Sequence, residues 1–149
     1  MNKPAVAQDP APATGPVPVF WRVVRVAHEL EARLEAALST AGLSMAKAGL
    51  LRCLAEASEP MPLSEVAVHS QCVRSNITQL MDRLEADGLV KRVADPGDRR
   101  VRRAALTAAG RKAHQESLRI MESHERDVAR GLSREEAAAL TQALGRLVP

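Results

Sequence analysis

The stretch from Arg74 to Leu106 constrains the fold more than any other part of the chain, because its hydrophobic period switches partway along. Ile77, Leu80, Met81 and Leu84 fall at i, i+3, i+4 and i+7, one buried face of a helix predicted over Arg74–Asp87. Gly88 follows as a helix stop, where a positive φ carries no Cβ penalty. Leu89–Val93 and Val101–Leu106 then read as two short strands. Between them lies Ala94-Asp95-Pro96-Gly97-Asp98, residues that favour a tight turn.

Helical periods flank this unit on both sides. Val23, Val26, Leu30, Leu34 and Leu38 form one stripe between Val19 and Ala41, closed by Gly42. Ser44 is placed to N-cap a second helix running to about Ala57, with Leu50, Leu51 and Leu54 inward. Pro60 and Pro62 enforce a break, after which Ser64 is a candidate N-cap for a short helix, Glu65 to His69. Thr107 can cap a long helix to about Arg130. Ser133 and Glu136 have capping-box spacing for a last helix, with Ala137, Leu140, Leu144 and Leu147 expected inward. Residues 1–18 hold five prolines and read as an extended arm.

Composition supports a helical core. Of 149 residues, 26 are alanine, one is Phe (Phe20), one is Trp (Trp21) and none is Tyr. Such a core packs from Leu, Val, Ile, Met and Ala, which suits helices better than sheets. The missing rings also argue against single-strand binders, which stack bases on exposed aromatics. Cys53 and Cys72 are too few for a disulfide framework, no run approaches the roughly 18 apolar residues of a membrane span, and the N-terminus shows no signal pattern. The expectation is one soluble, cytoplasmic protein without membrane association.

A short helix, a turn and an amphipathic helix make a helix-turn-helix, and a basic hairpin after it makes a wing. The expected fold is therefore mainly α with a small β-hairpin wing. Charge is concentrated to match. From Lys91 to Lys112 there are eight basic residues and two acids, a net of +6 in a chain whose total is +3. The hairpin is thus the chain's phosphate-attracting segment. The outer face of the helix before it carries Arg74, Ser75, Asn76, Thr78 and Gln79. Amides, hydroxyls and a guanidinium there are what reading base edges in a major groove requires. An ordinary solvated face would carry more Lys and Glu. The reading is recognition of double-stranded DNA.

Four segments also carry a family resemblance: LSEVA (63–67), RSNITQLMDRLEADGLVKR (74–92), DPGDRR (95–100) and LTAAGR (106–111). In order and spacing the chain resembles the MarR (multiple antibiotic resistance regulator) transcription factors over about residues 20–148. The resemblance implies a winged-helix homodimer, a repressor by function, that binds a pseudo-palindromic operator. Residues 19–43 and 107–149 would form the dimerisation helices, and 44–106 the DNA-binding lobe. It places Ser75, Asn76, Thr78 and Gln79 on the recognition helix. It matches Asp98 and Arg100 to an Asp-x-Arg pair whose Arg enters the minor groove, with Arg99 and Arg102 beside it. The chain departs from the family at Val73, where a capping Ser is common, and at Gln71, where Gly is common. Ser75 is then the available cap.

The resemblance further implies release by a small amphipathic or aromatic effector, with Trp21, Arg22, His28, Met45 and Leu50 as candidate lining. A second possibility is redox control through Cys72, whose pKa the helix N-terminus and Arg74 would lower. The plainer reading is that Cys72 and Cys53 are small core residues. His28, His69, His114 and His124 are too dispersed for a metal site, no catalytic constellation recurs, and no cofactor is expected. A winged-helix module that contacts only protein is the remaining alternative, and Arg99, Arg100, Arg102 and Arg103 argue against it.

Overall fold

The order of elements follows from where the sequence places its caps and breaks. The computed structural model describes residues 19–69, 77–95, 97–98 and 101–147. Six helices are described: α1 (Val19–Ser39), α2 (Met45–Glu56), α3 (Leu63–His69), α4 (Ile77–Ala86), α5 (Ala108–Ala129) and α6 (Arg134–Gly145). Three strands accompany them: β1 (Met61–Pro62), β2 (Val90–Ala94) and β3 (Arg102–Leu106).

The predicted caps are present. The Ser44 hydroxyl accepts from the Lys47 backbone N–H (3.1 Å) and the Thr107 hydroxyl from Gly110 N–H (3.0 Å). Ser133 and Glu136 form the reciprocal capping box at 3.2 and 2.8 Å. Gly42 and Gly88 both take φ +70. After each, the next residue's N–H reaches back to a helix carbonyl: Leu43 to Leu38 O (3.1 Å) and Leu89 to Leu84 O (2.9 Å). That is the Schellman ending that a C′ glycine makes available.

The start of α3 and the extent of the sheet differ from the sequence reading. Ser64 is not a cap, because α3 already begins at Leu63. The hairpin is also the larger part of a three-stranded antiparallel sheet of order β1-β3-β2. Met61 and Pro62 pair with Ala104 and Arg103. A strand of two residues has no alternation to detect, and its proline is tolerated because β1 is an edge.

The chain forms two compact units, one up to Ala32 and one from Arg33 onward. In the first, Val19, Phe20, Trp21 and Val26 are more than half exposed. Phe20 and Trp21 meet edge to face, centroids 5.1 Å apart. In the second, the core joins Leu38, Leu50, Leu51, Val66, Met81, Leu84, Val90 and Ala104, each nearly inaccessible to water. The Glu35 carboxylate accepts from the Met45 N–H (2.7 Å), satisfying a donor at the start of α2.

The expectation that Leu140, Leu144 and Leu147 point inward is not met within this chain. They are 46%, 42% and 58% exposed, and no residue of α6 is buried.

Candidate nucleic-acid interface

The exposed face of α4 is set by what its other face buries. Ile77, Leu80, Met81 and Leu84 lie in the core, so Thr78, Gln79, Asp82 and Arg83 are turned to solvent. Both described members of the predicted reading set, Thr78 and Gln79, stand on that solvent face. Arg74, Ser75 and Asn76 lie outside the described residues, as does Cys72.

The hairpin continues from α4 through Gly88. β2 and β3 pair from Val90↔Leu106 to Ala94↔Arg102. At its tip, Asp95 organises the turn. One carboxylate oxygen accepts from Gly97 N–H (2.7 Å) and Asp98 N–H (3.0 Å), and the other from Arg103 Nε. The Arg103 guanidinium and those two N–H groups hold the Asp95 carboxyl below the usual carboxylate range. Arg103 also donates to the Pro60 carbonyl (3.0 Å), tying the tip to the chain just before β1. Asp98 is exposed, and its carbonyl accepts from Val101 N–H (2.9 Å). Arg99 and Arg100 lie outside the described residues.

Counting basic residues therefore overstated the charge offered to a partner. Arg103 is committed to Asp95, and Arg92 to Asp82 and Glu85 at 2.5 and 2.6 Å. These carboxylates raise the Arg92 pKa, Asp82 foremost. Lys91, Arg102 and Lys112 are exposed, and no salt bridge is found for them among the described residues. Arg111 is exposed as well, with a bond to the Leu106 carbonyl (3.3 Å). The signal for Arg92 was present in the sequence. A Schellman turn at Gly88 sends the chain back along α4, past carboxylates seven and ten residues upstream.

The predicted effector residues are distributed as follows. Trp21 and His28, with Val24, Arg25 and Glu29, line an open depression along one side of α1. Arg22 is exposed on α1 but outside that lining. Met45, 39% exposed, begins α2, and Leu50 is fully buried in the core; both belong to the second unit.

Cys53 is half-buried with its Sγ 3.9 Å from the Met61 sulfur. Burial, then the Glu56 charge, pushes its thiol up against the opposing pull of Arg52. That is the behaviour of a core residue rather than a reactive one. Among the described residues no group of three His, Cys, Asp or Glu side chains is placed to hold a metal ion. The described residues include no helix long and apolar enough to cross a membrane.

A profile of the MarR family matches residues 43–101, which run from the start of α2 into the hairpin. Over those residues the chain is similar to the MarR family. The HTH-type transcriptional regulator YsmB of Bacillus subtilis is 33% identical over 87 residues, 58% of this chain and 60% of that protein. The match thus spans less than two thirds of that curated relative. A MarR-like transcription regulator of Bacillus cereus superposes with TM-score 0.78 at 23% identity, covering 87% of this chain and 92% of that one. A MarR mutant from E. coli complexed with operator DNA gives 0.74 at 21% identity, covering 89% and 95%. These likenesses extend the MarR fold beyond the matched domain.

Proposed function

We propose that this chain is a MarR-family transcription regulator that binds double-stranded DNA as a homodimer and represses from a pseudo-palindromic operator. The observation that carries the reading is the polar, solvent-facing Thr78 and Gln79 of α4 beside a hairpin with exposed Lys91 and Arg102. A helix face of this kind suits base edges in a major groove, while the hairpin reaches the backbone and the neighbouring minor groove. The solved complex of an E. coli MarR mutant with operator DNA, on the same fold, supports this docking. Like the family, the chain acts by binding and not by catalysis.

Dimerisation is supported by apolar surface left open at both ends of the chain: Val19, Phe20, Trp21 and Val26 in α1, and Leu140, Leu144 and Leu147 around α6. Residues 19–43 and 107–149 form the dimerisation region in this proposal, and 44–106 the DNA-binding lobe. A two-fold axis then sets the reading helices about 34 Å apart, one duplex turn. A small amphipathic or aromatic effector relieves repression, with Trp21 and His28 as its first candidate contacts because they share one exposed depression.

Fluorescence anisotropy with duplexes from upstream of the chain's own gene tests the reading. The expected result is a pseudo-palindromic duplex that outcompetes random DNA, with weaker binding by Arg100→Ala at matched salt. Equal competition by random DNA refutes specific regulation. Unchanged binding by Arg100→Ala refutes the minor-groove assignment alone.

A further inference from the structure

Arg92 lies in the basic stretch, but its guanidinium is paired inside the lobe. Its Nη1 donates to Glu85 Oε2 at 2.6 Å and its Nη2 to Asp82 Oδ1 at 2.5 Å. One planar fork thus spans two carboxylates that stand a helical turn apart on α4. The Arg92 backbone N–H donates to the other Glu85 oxygen at 3.2 Å. Strand pairing sets Arg92 opposite Ala104, whose side chain ends at Cβ. Three hydrogen bonds join strand to helix at this one residue. The two guanidinium bonds are charge-assisted, and a planar fork fixes direction as well as distance.

The carboxylates so held belong to the helix that carries the reading residues. Asp82 follows Thr78 by one turn on the same exposed face. We propose that Arg92 is a positioning residue for duplex recognition: its fork between Asp82 and Glu85 sets the angle between α4 and the hairpin. This inference rests on the DNA-binding reading above. Phosphate contacts hold any sequence, whereas base reading needs helix and hairpin correctly placed in their grooves together. An error in the angle therefore costs specific binding more than random binding.

Two variants break the fork with opposite changes of charge. Arg92→Met removes the cation and leaves two acids beside the duplex. Asp82→Asn/Glu85→Gln removes the acids and frees the cation. A purely electrostatic role moves the two variants in opposite directions, while loss of the angle moves them together.

The test measures anisotropy on the operator duplex and on a random duplex of equal length, with circular dichroism to verify folding at the assay temperature. The expected result is a specific-to-random affinity ratio about tenfold lower in both variants, within the usual range of coupling between two sites. Arg92→Met keeps the wild-type salt slope, and Arg92→Lys recovers part of the ratio. Arg102→Ala, by contrast, keeps the ratio and lowers the slope by about 0.9, as loss of one phosphate contact requires. If Arg92→Met does not fold, Asp82→Asn/Glu85→Gln, which leaves only a partly exposed cation unpaired, carries the test. Ratios that stay at the wild-type value or shift oppositely overturn the inference, as does a salt slope lowered by Arg92→Met. Those outcomes leave the regulatory reading intact. Failure of the wild-type chain to discriminate the operator overturns both.

Discussion

Replacing Gly110 by alanine adds one methyl group where α5 begins against the turn between α4 and β2. A Cβ built there lies 1.9 Å from the Leu89 carbonyl oxygen, 2.9 Å from its carbon and 3.2 Å from Leu106 Cδ2. An ordinary carbon–oxygen contact is about 3.3 Å, so helix and turn must separate by roughly 1.4 Å. The atom in the way is backbone, and it is already committed. The Leu89 carbonyl accepts from the Thr107 N–H (3.1 Å), the Thr107 hydroxyl donates to the Gly88 carbonyl (2.7 Å) while lying 3.1 Å from that of Leu89, and Thr107 is the residue that caps α5.

Overpacking costs about 1–3 kcal/mol, and a rigid backbone neighbour puts this site at the upper end. Disturbing the Thr107 cap adds about 1 kcal/mol. Alanine returns about 1 kcal/mol in helix propensity, which leaves a net loss of about 3 kcal/mol. For a chain of this size that lowers Tm by about 6–12 °C, measured by circular dichroism at equal protein concentration. Gly49→Ala is the matched control. It lies in α2 with nothing within 4 Å of a new Cβ, so the same substitution stabilises by up to about 1 kcal/mol. A Gly110→Ala protein melting within about 2 °C of wild type, or above it, refutes the close approach of α5 to Leu89.

Asp95 gives a pH test with a definite sign. Its carboxyl is held below the usual range by Arg103, so the wing contact contributes at neutral pH and is lost as pH falls through the lowered value. The stability advantage of wild type over Asp95→Asn is therefore expected to shrink below about pH 4, followed by urea unfolding across an acid series; a constant advantage contradicts the pairing. Asp substituted for both Leu140 and Leu144 places charge on the exposed apolar face of α6. The variant is expected to sediment as a monomer and to lose at least tenfold in operator affinity, since each half-site then binds alone. A variant that remains dimeric moves the seam away from α6.

Most of the fold was legible because the caps are chemical statements about single positions. Ser44, Thr107, Ser133 with Glu136, Gly42 and Gly88 each satisfy or end a helix by a bond that a neighbouring residue must supply, so local sequence carries them. β1 was not legible. Met61 and Pro62 become a strand only because β3, some forty residues later, offers them an edge, and nothing local distinguishes them from a proline break. Leu140 and Leu144 misled for a related reason. A helical stripe states that a face is to be covered, but not whether the cover is this chain or another.

The same division explains the binding face. Residue type and period were enough to turn Thr78 and Gln79 outward, since burial of Ile77, Leu80, Met81 and Leu84 leaves them no other side. Charge was read less well, because a count of arginines treats each as free. Arg92 and Arg103 are spent inside the lobe, the first joining α4 to β2 and the second bracing the turn at Asp95. Each such pairing removes a candidate phosphate contact and adds a constraint on geometry. On the DNA-binding reading proposed above, the expected effect of a basic residue divides by its partner: loss of exposed Lys91 or Arg102 lowers affinity on every sequence, whereas loss of Arg92 lowers discrimination between sequences.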